Sequence, residues 1–387
     1  MRALMSRLAQ LLQGAEPVPQ PQPQARRQRG ATDHIILLDG TMASLALGTK
    51  TNIGILHDLL RAIGPRASVY YGKGLEWREW RDFSDAVLGW GVDRQIRRAY
   101  GWLATRYRPG DRIFLLGYSR GAFAARSLAG LIDRVGLVRA EAATERNIRL
   151  AWRYYVNAGE RAPSAAFRRF CHEVAPIEMV GVFDTVSAIG LRLPILWMMN
   201  ERQTRFHDQR LGPSVKFGAQ ALAIDETRSV FEPVIWDSTD SPPGRIEQVW
   251  FRGTHPDIGG QLADFEAARP LANIPLVWMI EHLEARGVAL PQGWRQLFPC
   301  DPTAPSIGSW RAWGKMFLLR APRVVGRDPS ERLHETAIGA RRNWRTIILP
   351  QLAARLRRTT APSPEGQPVA VAAEAAHRPE SNTPPAE

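Results

Sequence analysis

The chain of 387 residues is poor in cysteine, in lysine and in long apolar runs. Two cysteines, Cys171 and Cys300, cannot build a disulfide framework or a C-x-x-C metal site, so we expect two reduced core thiols. No stretch approaches the ~20 apolar residues of a membrane-spanning helix, and the first residues lack the apolar run of a secretory signal. The sequence therefore predicts a protein without a transmembrane segment that is cytoplasmic, or exported without a signal peptide.

The scarcity of lysine accompanies an excess of arginine. The 51 Lys and Arg residues against 38 Asp and Glu give a formal net charge of +13, yet the only lysines are Lys50, Lys73, Lys216 and Lys315. An arginine bias of this kind is typical of a GC-rich genome. No dense basic run with interleaved aromatic residues is present, which argues against a nucleic-acid partner. A basic surface is compatible with anionic lipid headgroups.

Composition divides the chain into three parts. Residues 1–32 are predicted to form a short amphipathic segment and then a disordered Pro/Gln-rich linker. The amphipathic segment is either a frayed helix or a contact for peripheral membrane binding. Residues 33–358 have the composition of one globular domain, and residues 359–387, rich in Pro, Ala, Glu and Ser, are predicted to be a disordered tail.

Within residues 33–358, short apolar runs alternate with helical patterns. The runs predict strands at 34–38, 68–71, 113–116, 177–183 and 246–251, and the helical patterns fall at 52–63, 92–107, 122–132, 139–158, 219–224 and 274–284. Alternation of this kind predicts an α/β fold with a mostly parallel central sheet, flanking helices and helical insertions.

One predicted strand leads into Gly117-Tyr118-Ser119-Arg120-Gly121, which matches the G-x-S-x-G pattern of a nucleophile elbow. In such an elbow the serine adopts a strained backbone conformation between a strand and a helix. The residues two before and two after it must be very small, and glycine occupies both places. The alternative is a structural Gly-Ser-Gly turn at the end of a strand.

A nucleophilic serine needs an imidazole base and a carboxylate that orients it. Asp184 and His255 each follow a later predicted strand, in the order Ser, Asp, His that is typical of α/β-hydrolases. Asp184 could instead cap a turn. His334 is the alternative base. Asp257 either orients the loop around His255, shares the carboxylate role or forms a metal pair with it; two ligands do not make a metal site, so no metal or cofactor is predicted.

The same chemistry needs backbone N–H groups that bind the oxyanion. Asp39-Gly40-Thr41 follows the first strand and fits the loop that donates one of them, while Arg120 would donate the other. Gly40 would let the backbone approach the substrate. The alternative is a simple turn in which Asp39 caps nearby amides.

These motifs, taken together, resemble one family. The set consists of Leu38-Asp39-Gly40-Thr41 followed by Thr51-Asn52, the elbow 117–123, Val182-Phe183-Asp184-Thr185-Val186, and 251–260 around His255. It resembles the catalytic domain of the family 1 type VI secretion phospholipase effectors, a bacterial and fungal group of α/β-hydrolases, over roughly residues 33–285.

The resemblance implies a Ser-Asp-His triad that hydrolyses phospholipid acyl esters, with Ser119 as nucleophile, Asp184 as acid and His255 as base. The sequence departs from the family pattern in two places. Gln261-Leu262 follows Gly259-Gly260 in place of an aromatic glycine-rich ending, and Met42-Ala43-Ser44 follows the first motif in place of an aromatic residue and an asparagine.

We therefore expect a serine esterase or lipase acting on lipid or phospholipid acyl esters through a covalent acyl-enzyme. The apolar stretch 188–199 is either a lipid-facing cap or core helix. The competing hypothesis is a binding or scaffold protein that keeps the fold and has no activity.

Overall fold

A computed structural model describes residues 30–41, 43, 45, 50–74, 90–157, 162–186, 210–310, 319–338 and 347–348. Three regions predicted from the sequence lie outside these residues: almost all of the N-terminal segment and linker, the apolar stretch 188–199, and the tail 359–387. Within the described residues, none of the helices has the length and apolar character that crossing a membrane requires.

The centre of the fold is a seven-stranded sheet. In spatial order its strands are β2 Ala67–Gly72, β1 Asp33–Leu38, β3 Arg112–Tyr118, β4 Ile177–Phe183, β5 Gly218–Ala223, β6 Ile246–Phe251 and β8 Glu331–Leu333. Every neighbouring pair is parallel. The strand order reverses between β1 and β3, and in open α/β sheets ligands bind beyond the carboxyl ends of strands at such a reversal. Two short strands, β7 Val324–Val325 and β9 Ile347–Ile348, pair separately.

Helices cover both faces of this sheet. They are α1 Asn52–Arg61, α2 Trp90–Ala104, α3 Arg120–Val135, α4 Glu145–Val156, α5 Ala165–Arg168, α6 His255–Gly259, α7 Arg269–Ala285 and α8 Glu335–Ile338. The predicted α/β-hydrolase-like fold is confirmed, with helices α1 and α7 on one face and α2, α3 and α4 on the other.

The core has two layers because successive side chains of a strand point to opposite faces. In β1, Ile35 and Leu37 pack with α1 and α7, whereas Ile36 and Leu38 pack with α2 and α3. All four side chains are fully buried. A strand buried on both faces reads as a continuous apolar run, which is why the sequence predicts this strand well.

The helix predicted at 219–224 is wrong, because Gly218–Ala223 is strand β5, which lies between β4 and β6 in the sheet. Alanine favours a helix by local propensity, but tertiary packing overrides that preference. Ala219, Ala221 and Ala223 all join the apolar layer that includes α7. On the other face Gln220 is fully buried.

The two cysteines are free thiols. Cys171 is buried, as predicted. Cys300 is exposed, so the prediction that it lies in the core is wrong. Its place is the loop that follows α7.

Candidate active site

Ser119 lies at the turn between β3 and α3. Its φ of 58° and ψ of −119° put it in a strained region for a residue that is not glycine. A Cβ on Gly117 would lie 2.3 Å from the Gly121 carbonyl oxygen, and a Cβ on Gly121 would lie 2.1 Å from the Leu38 carbonyl oxygen. The turn therefore requires glycine on both sides of Ser119, as the motif predicts.

Ser119, His255 and Asp184 form one hydrogen-bonded chain. The distance between Ser119 Oγ and His255 Nε2 is 2.9 Å, and that between His255 Nδ1 and Asp184 Oδ2 is 2.6 Å. Because a carboxylate only accepts hydrogen bonds, it fixes the proton on Nδ1, and Nε2 is left to accept from the serine hydroxyl. The three residues are at most 8% exposed.

These side chains meet because each follows the carboxyl end of a strand. Ser119 follows β3, Asp184 follows β4, and His255 begins α6 a few residues after β6. The backbone carries a second strained residue here, since Asp184 has a φ of 42°. The Asp184 amide donates to the carbonyl of Ala221, and one carboxylate oxygen accepts from the amide of Ala223. Both partners belong to β5, so the sheet itself fixes the aspartate.

Asp184 also contacts a cationic side chain that the sequence did not predict. Arg323 Nη1 and Nη2 donate to Asp184 Oδ1 and Oδ2 at 3.2 and 3.1 Å. Burial by itself would raise the pKa of Asp184, but the charge of Arg323 and the hydrogen bond from His255 outweigh burial and lower that pKa to about 2. The carboxylate is therefore ionised throughout the neutral range.

The imidazole of His255 is packed between aromatic rings and anchored by its backbone. The Phe231 ring stacks on it at 4.7 Å with an interplanar angle of 11°, and the Tyr118 ring lies 4.9 Å away. The His255 amide donates to the buried carboxylate of Glu226, which also forms a bidentate ion pair with Arg228. Ring and backbone are both held in place.

The short helix α6 places His255 at its first turn, and Asp257 caps that turn. The Asp257 carboxylate accepts from the Thr254 amide and hydroxyl, the Ser306 hydroxyl and the Ile307 amide. Of the roles considered for Asp257, the structure shows the one that orients the loop. No group of three or more His, Cys, Asp or Glu side chains in the described part of the chain could hold a metal ion.

The Asp39-Gly40-Thr41 loop lies beside the elbow. A Cβ on Gly40 would lie 3.3 Å from the Cβ of Ser119, so this backbone lies close to the nucleophile. The Gly40 amide itself donates to Asp39 Oδ1 at 2.8 Å. Thr41 Oγ1 is buried and has no hydrogen-bond partner among the described residues. Arg120 occupies the first turn of α3, where a helix leaves backbone N–H groups without intrahelical acceptors.

The carboxylate of Asp39 joins three elements. Besides the Gly40 amide, it accepts from the hydroxyl of Thr51, which is the N-cap of α1, and from the hydroxyl of Tyr71 on β2. The shortest oxygen–oxygen distance to each hydroxyl is 2.7 Å. Burial raises the pKa of Asp39 to about 6, although these hydrogen bonds partly oppose the rise. Asp39 thus accepts from a nearby amide, that of Gly40, as in the simple turn that the sequence offers as the alternative.

His334, the alternative base, has a different set of contacts. It follows β8, its Nδ1 lies 3.0 Å from Thr336 Oγ1, and its ring stacks on Phe251 at 4.5 Å. Burial lowers its pKa. Of the two candidate histidines, His255 is the one hydrogen-bonded to Ser119.

The site contains residues that sequence reasoning missed. Arg323, Glu226, Arg228 and Phe231 surround Asp184 and His255, yet none belongs to a recognisable motif. The adjacent Asp225-Glu226-Thr227-Arg228 stretch, a charged run directly after a buried segment, was the available signal for two of them.

Comparison with known proteins gives a family match over most of this fold. A family model described as "T6SS, Phospholipase effector Tle1-like, catalytic domain" matches residues 33–282. A curated relative, "Uncharacterized protein YEL023C" of Saccharomyces cerevisiae, is 27% identical over 226 residues, which make up 51% of this chain and 32% of the yeast protein.

Solved structures of other proteins are also similar to this chain. An uncharacterized protein from Pseudomonas aeruginosa has 14% identity and a TM-score of 0.43, covering 70% of this chain and 49% of that one. The Tle1 effector bound to the VgrG spike from the Type 6 secretion system has 19% identity and a TM-score of 0.34, covering 60% of this chain and 51% of that one. This chain thus spans about half the length of each.

The family model extends from the first residue of β1 to within three residues of the end of α7. It includes the loop at Asp39, the elbow at Ser119 and the segments that carry Asp184 and His255. The chain belongs to the family of Tle1-like phospholipase effector catalytic domains, as its four motifs predict.

Proposed function

We propose that the protein is a serine hydrolase that cleaves carboxylic esters, with lipid or phospholipid acyl esters as its substrates. The observation that supports this most directly is the hydrogen-bonded chain from Ser119 through His255 to Asp184. In such a chain the buried carboxylate orients the imidazole and stabilises its positive charge. The imidazole acts as the base that activates the serine as a nucleophile.

In the proposed reaction His255 Nε2 removes the proton of Ser119, and Oγ attacks the acyl carbonyl carbon. The backbone amides of Thr41 and Arg120 bind the resulting oxyanion, because the Gly40 amide is engaged by Asp39. The imidazolium then gives its proton to the departing alcohol, which leaves the acyl group on Ser119. Water, deprotonated by His255, releases the fatty acid and regenerates the serine.

Asp184 would stabilise the imidazolium in both steps without itself taking a proton. Its pKa of about 2 favours this role, because the carboxylate stays ionised while His255 gains and loses a proton. The tautomer that it selects leaves Nε2 facing the serine.

The choice of lipid esters rests on the family and on charge. The family model is that of phospholipase effectors. The formal net charge of +13 favours association with anionic phospholipid surfaces. Peripheral contact with a membrane is therefore part of the proposal.

A fluorophosphonate probe, which reacts with activated serines, tests the nucleophile. We expect labelling of the wild type and loss of labelling in Ser119→Ala. Ser127→Ala is the matched control, because Ser127 lies on the same helix and its hydroxyl donates to the Phe123 carbonyl. Equal labelling of wild type and Ser119→Ala would refute the assignment.

The base is tested by comparing His255→Gln with His334→Gln. We expect kcat on a short-chain p-nitrophenyl ester to fall by about 10⁴-fold or more in His255→Gln. His334→Gln should keep wild-type kcat, since His334 contacts Thr336 and Phe251. The reverse result would make His334 the base.

The substrate class is tested with phosphatidylglycerol and phosphatidylcholine vesicles that carry distinguishable sn-1 and sn-2 chains. Free fatty acid plus lysophospholipid, dependent on Ser119, is the expected product. A phosphorylated headgroup as product would contradict acyl-ester cleavage. A folded wild type without probe labelling or ester hydrolysis would favour the non-catalytic binding or scaffold hypothesis.

A further inference from the structure

Arg323 lies outside the segment matched by the family model, yet it contacts the carboxylate at the centre of the site. The matched segment ends at residue 282. Arg323 immediately precedes β7, and both ends of its guanidinium donate to Asp184, at 3.1 and 3.2 Å. A bidentate pair of this geometry fixes the plane of the carboxylate as well as its position.

The guanidinium of Arg323 is buried within this site. The side chain of Arg323 is 4% exposed, and that of Asp184 is fully buried. Arg323 Nη2 also donates to the carbonyl of Phe231, whose ring stacks on His255. One side chain thus contacts the acid of the proposed triad and the residue that packs against its base.

Asp184 Oδ2 accepts from two groups at once. Arg323 Nη2 donates to it at 3.1 Å and His255 Nδ1 at 2.6 Å. The cation and the imidazole are therefore within about 6 Å of each other, a range in which a like charge disfavours protonation. Arg323 must oppose the charged form of His255 while Asp184 supports it.

Further charged and titratable groups lie around His255, among them Asp225, whose carboxylate accepts from the Gly253 amide. Glu226 accepts from the His255 amide and is paired with Arg228, so the two charges offset each other. Tyr118 is neutral, because burial raises its pKa well above the ordinary value. Asp257 faces the Thr254 and Ser306 side chains. Arg323 is the cation that acts on Asp184 directly.

We propose that Arg323 is a positioning residue that holds Asp184 against His255 and extends the activity of the enzyme to lower pH. This inference rests on the proposed function. The guanidinium divides the negative charge of Asp184 between two partners, so the imidazolium is stabilised less than it would be by a carboxylate with one partner.

The test is the pH dependence of kcat/KM on a soluble p-nitrophenyl ester. Arg323→Met removes the positive charge and the bidentate hydrogen bonds to Asp184. We expect the acid limb of the profile to move to higher pH by about 1 unit. Arg323→Lys keeps the charge but not the bidentate geometry. Its acid limb should stay near that of the wild type, while kcat falls about tenfold to a hundredfold from misplacement of the triad.

Arg320→Met is the matched control. Arg320 lies three residues earlier and donates to the Thr227 and Ser309 hydroxyls. A general loss of packing in this segment would lower the activity of both methionine variants without moving either acid limb. A shift of the acid limb in Arg323→Met, without a shift in Arg320→Met, would show that Arg323 acts on the base and does not merely support the structure.

An acid limb of Arg323→Met that coincides with the wild-type limb would overturn the inference. If Arg323→Met does not fold, Arg323→Gln removes the charge with a smaller change in polarity and decides the same comparison. If neither neutral variant folds, wild-type kcat in Arg323→Lys overturns the inference and a reduced kcat at wild-type stability supports it. A wild type that shows no Ser119-dependent labelling refutes the proposed function itself; Ser119-dependent labelling with unmoved acid limbs refutes only the role of Arg323.

Discussion

Asp39→Asn should change how the stability of the protein depends on pH. Asp39 is 1% exposed, and its carboxylate accepts from Gly40, Thr51 and Tyr71. Asparagine keeps an acceptor oxygen for the Gly40 amide and cannot ionise. The two hydroxyl groups can rotate to accept from its amide nitrogen.

The magnitude follows from the raised pKa. Burial is the largest cause, and it moves the pKa of Asp39 from 3.8 to about 6. Below the pKa that Asp39 has in the unfolded chain, its carboxyl group is protonated in both the folded and the unfolded state. The stability that this protonation gives the folded state is then fully present. That stability is lost as the pH rises through the pKa that Asp39 has in the folded protein. A difference of ~2 units between the two pKa values corresponds to ~3 kcal/mol in the free energy of unfolding. Asp39→Asn should therefore gain ~3 kcal/mol over the wild type between about pH 4 and pH 7.

Urea unfolding at a series of pH values measures this difference, because subtraction of the two curves cancels every other titrating group. Glu145→Gln is the control. Glu145 is an exposed residue of α4 paired with Arg149, and removing it should change the free energy of unfolding by less than ~0.5 kcal/mol at any pH. A wild-type minus Asp39→Asn difference that is the same at both ends of the range would refute the reasoning.

Two further predictions concern the elbow and its supports. Gly121→Ala should destabilise the protein by more than ~2 kcal/mol, because the new Cβ would meet the Leu38 carbonyl oxygen at 2.1 Å. The control is Gly130→Ala on the same helix, where the new Cβ meets only the Tyr155 side chain, at 3.0 Å. Gly130→Ala should destabilise the protein less in a thermal unfolding assay. Asn52→Ala should cost ~2–3 kcal/mol in urea unfolding, since its buried amide donates to the Ile258 and Ala272 carbonyls, which would lose their partner. An Asn52→Ala variant as stable as the wild type would show that water replaces those bonds.

The sequence predicts the parts of this fold that rest on local patterns. Strands such as β1 and β3 are buried on both faces, so their apolar runs are unmistakable. The turn at Ser119 requires glycine at position 117 because a side chain there would meet Gly121, only four residues later. The order of Ser119, Asp184 and His255 could be read because each follows a recognisable strand.

Other features depend on contacts between distant residues. Strand β5 is rich in alanine and becomes a strand because β4 and β6 enclose it. Strand β8 has three residues, too few for an alternating pattern. Arg323 lies 139 positions from Asp184, and no spacing rule connects the two. The helix predicted at 139–158 occupies Glu145–Val156, because a short 3₁₀ turn precedes it and Thr144 caps it.

The position of Arg323 and β8 late in the chain has a consequence for biosynthesis. A chain synthesised as far as residue 282 carries the serine, the aspartate and the histidine, but β6 has no partner on its outer side and Asp184 has no arginine. An unpaired strand edge is a site of association with other chains. Under the proposed mechanism, the nascent protein acquires the arginine that positions Asp184 only after the segment around Arg323 has left the ribosome and docked.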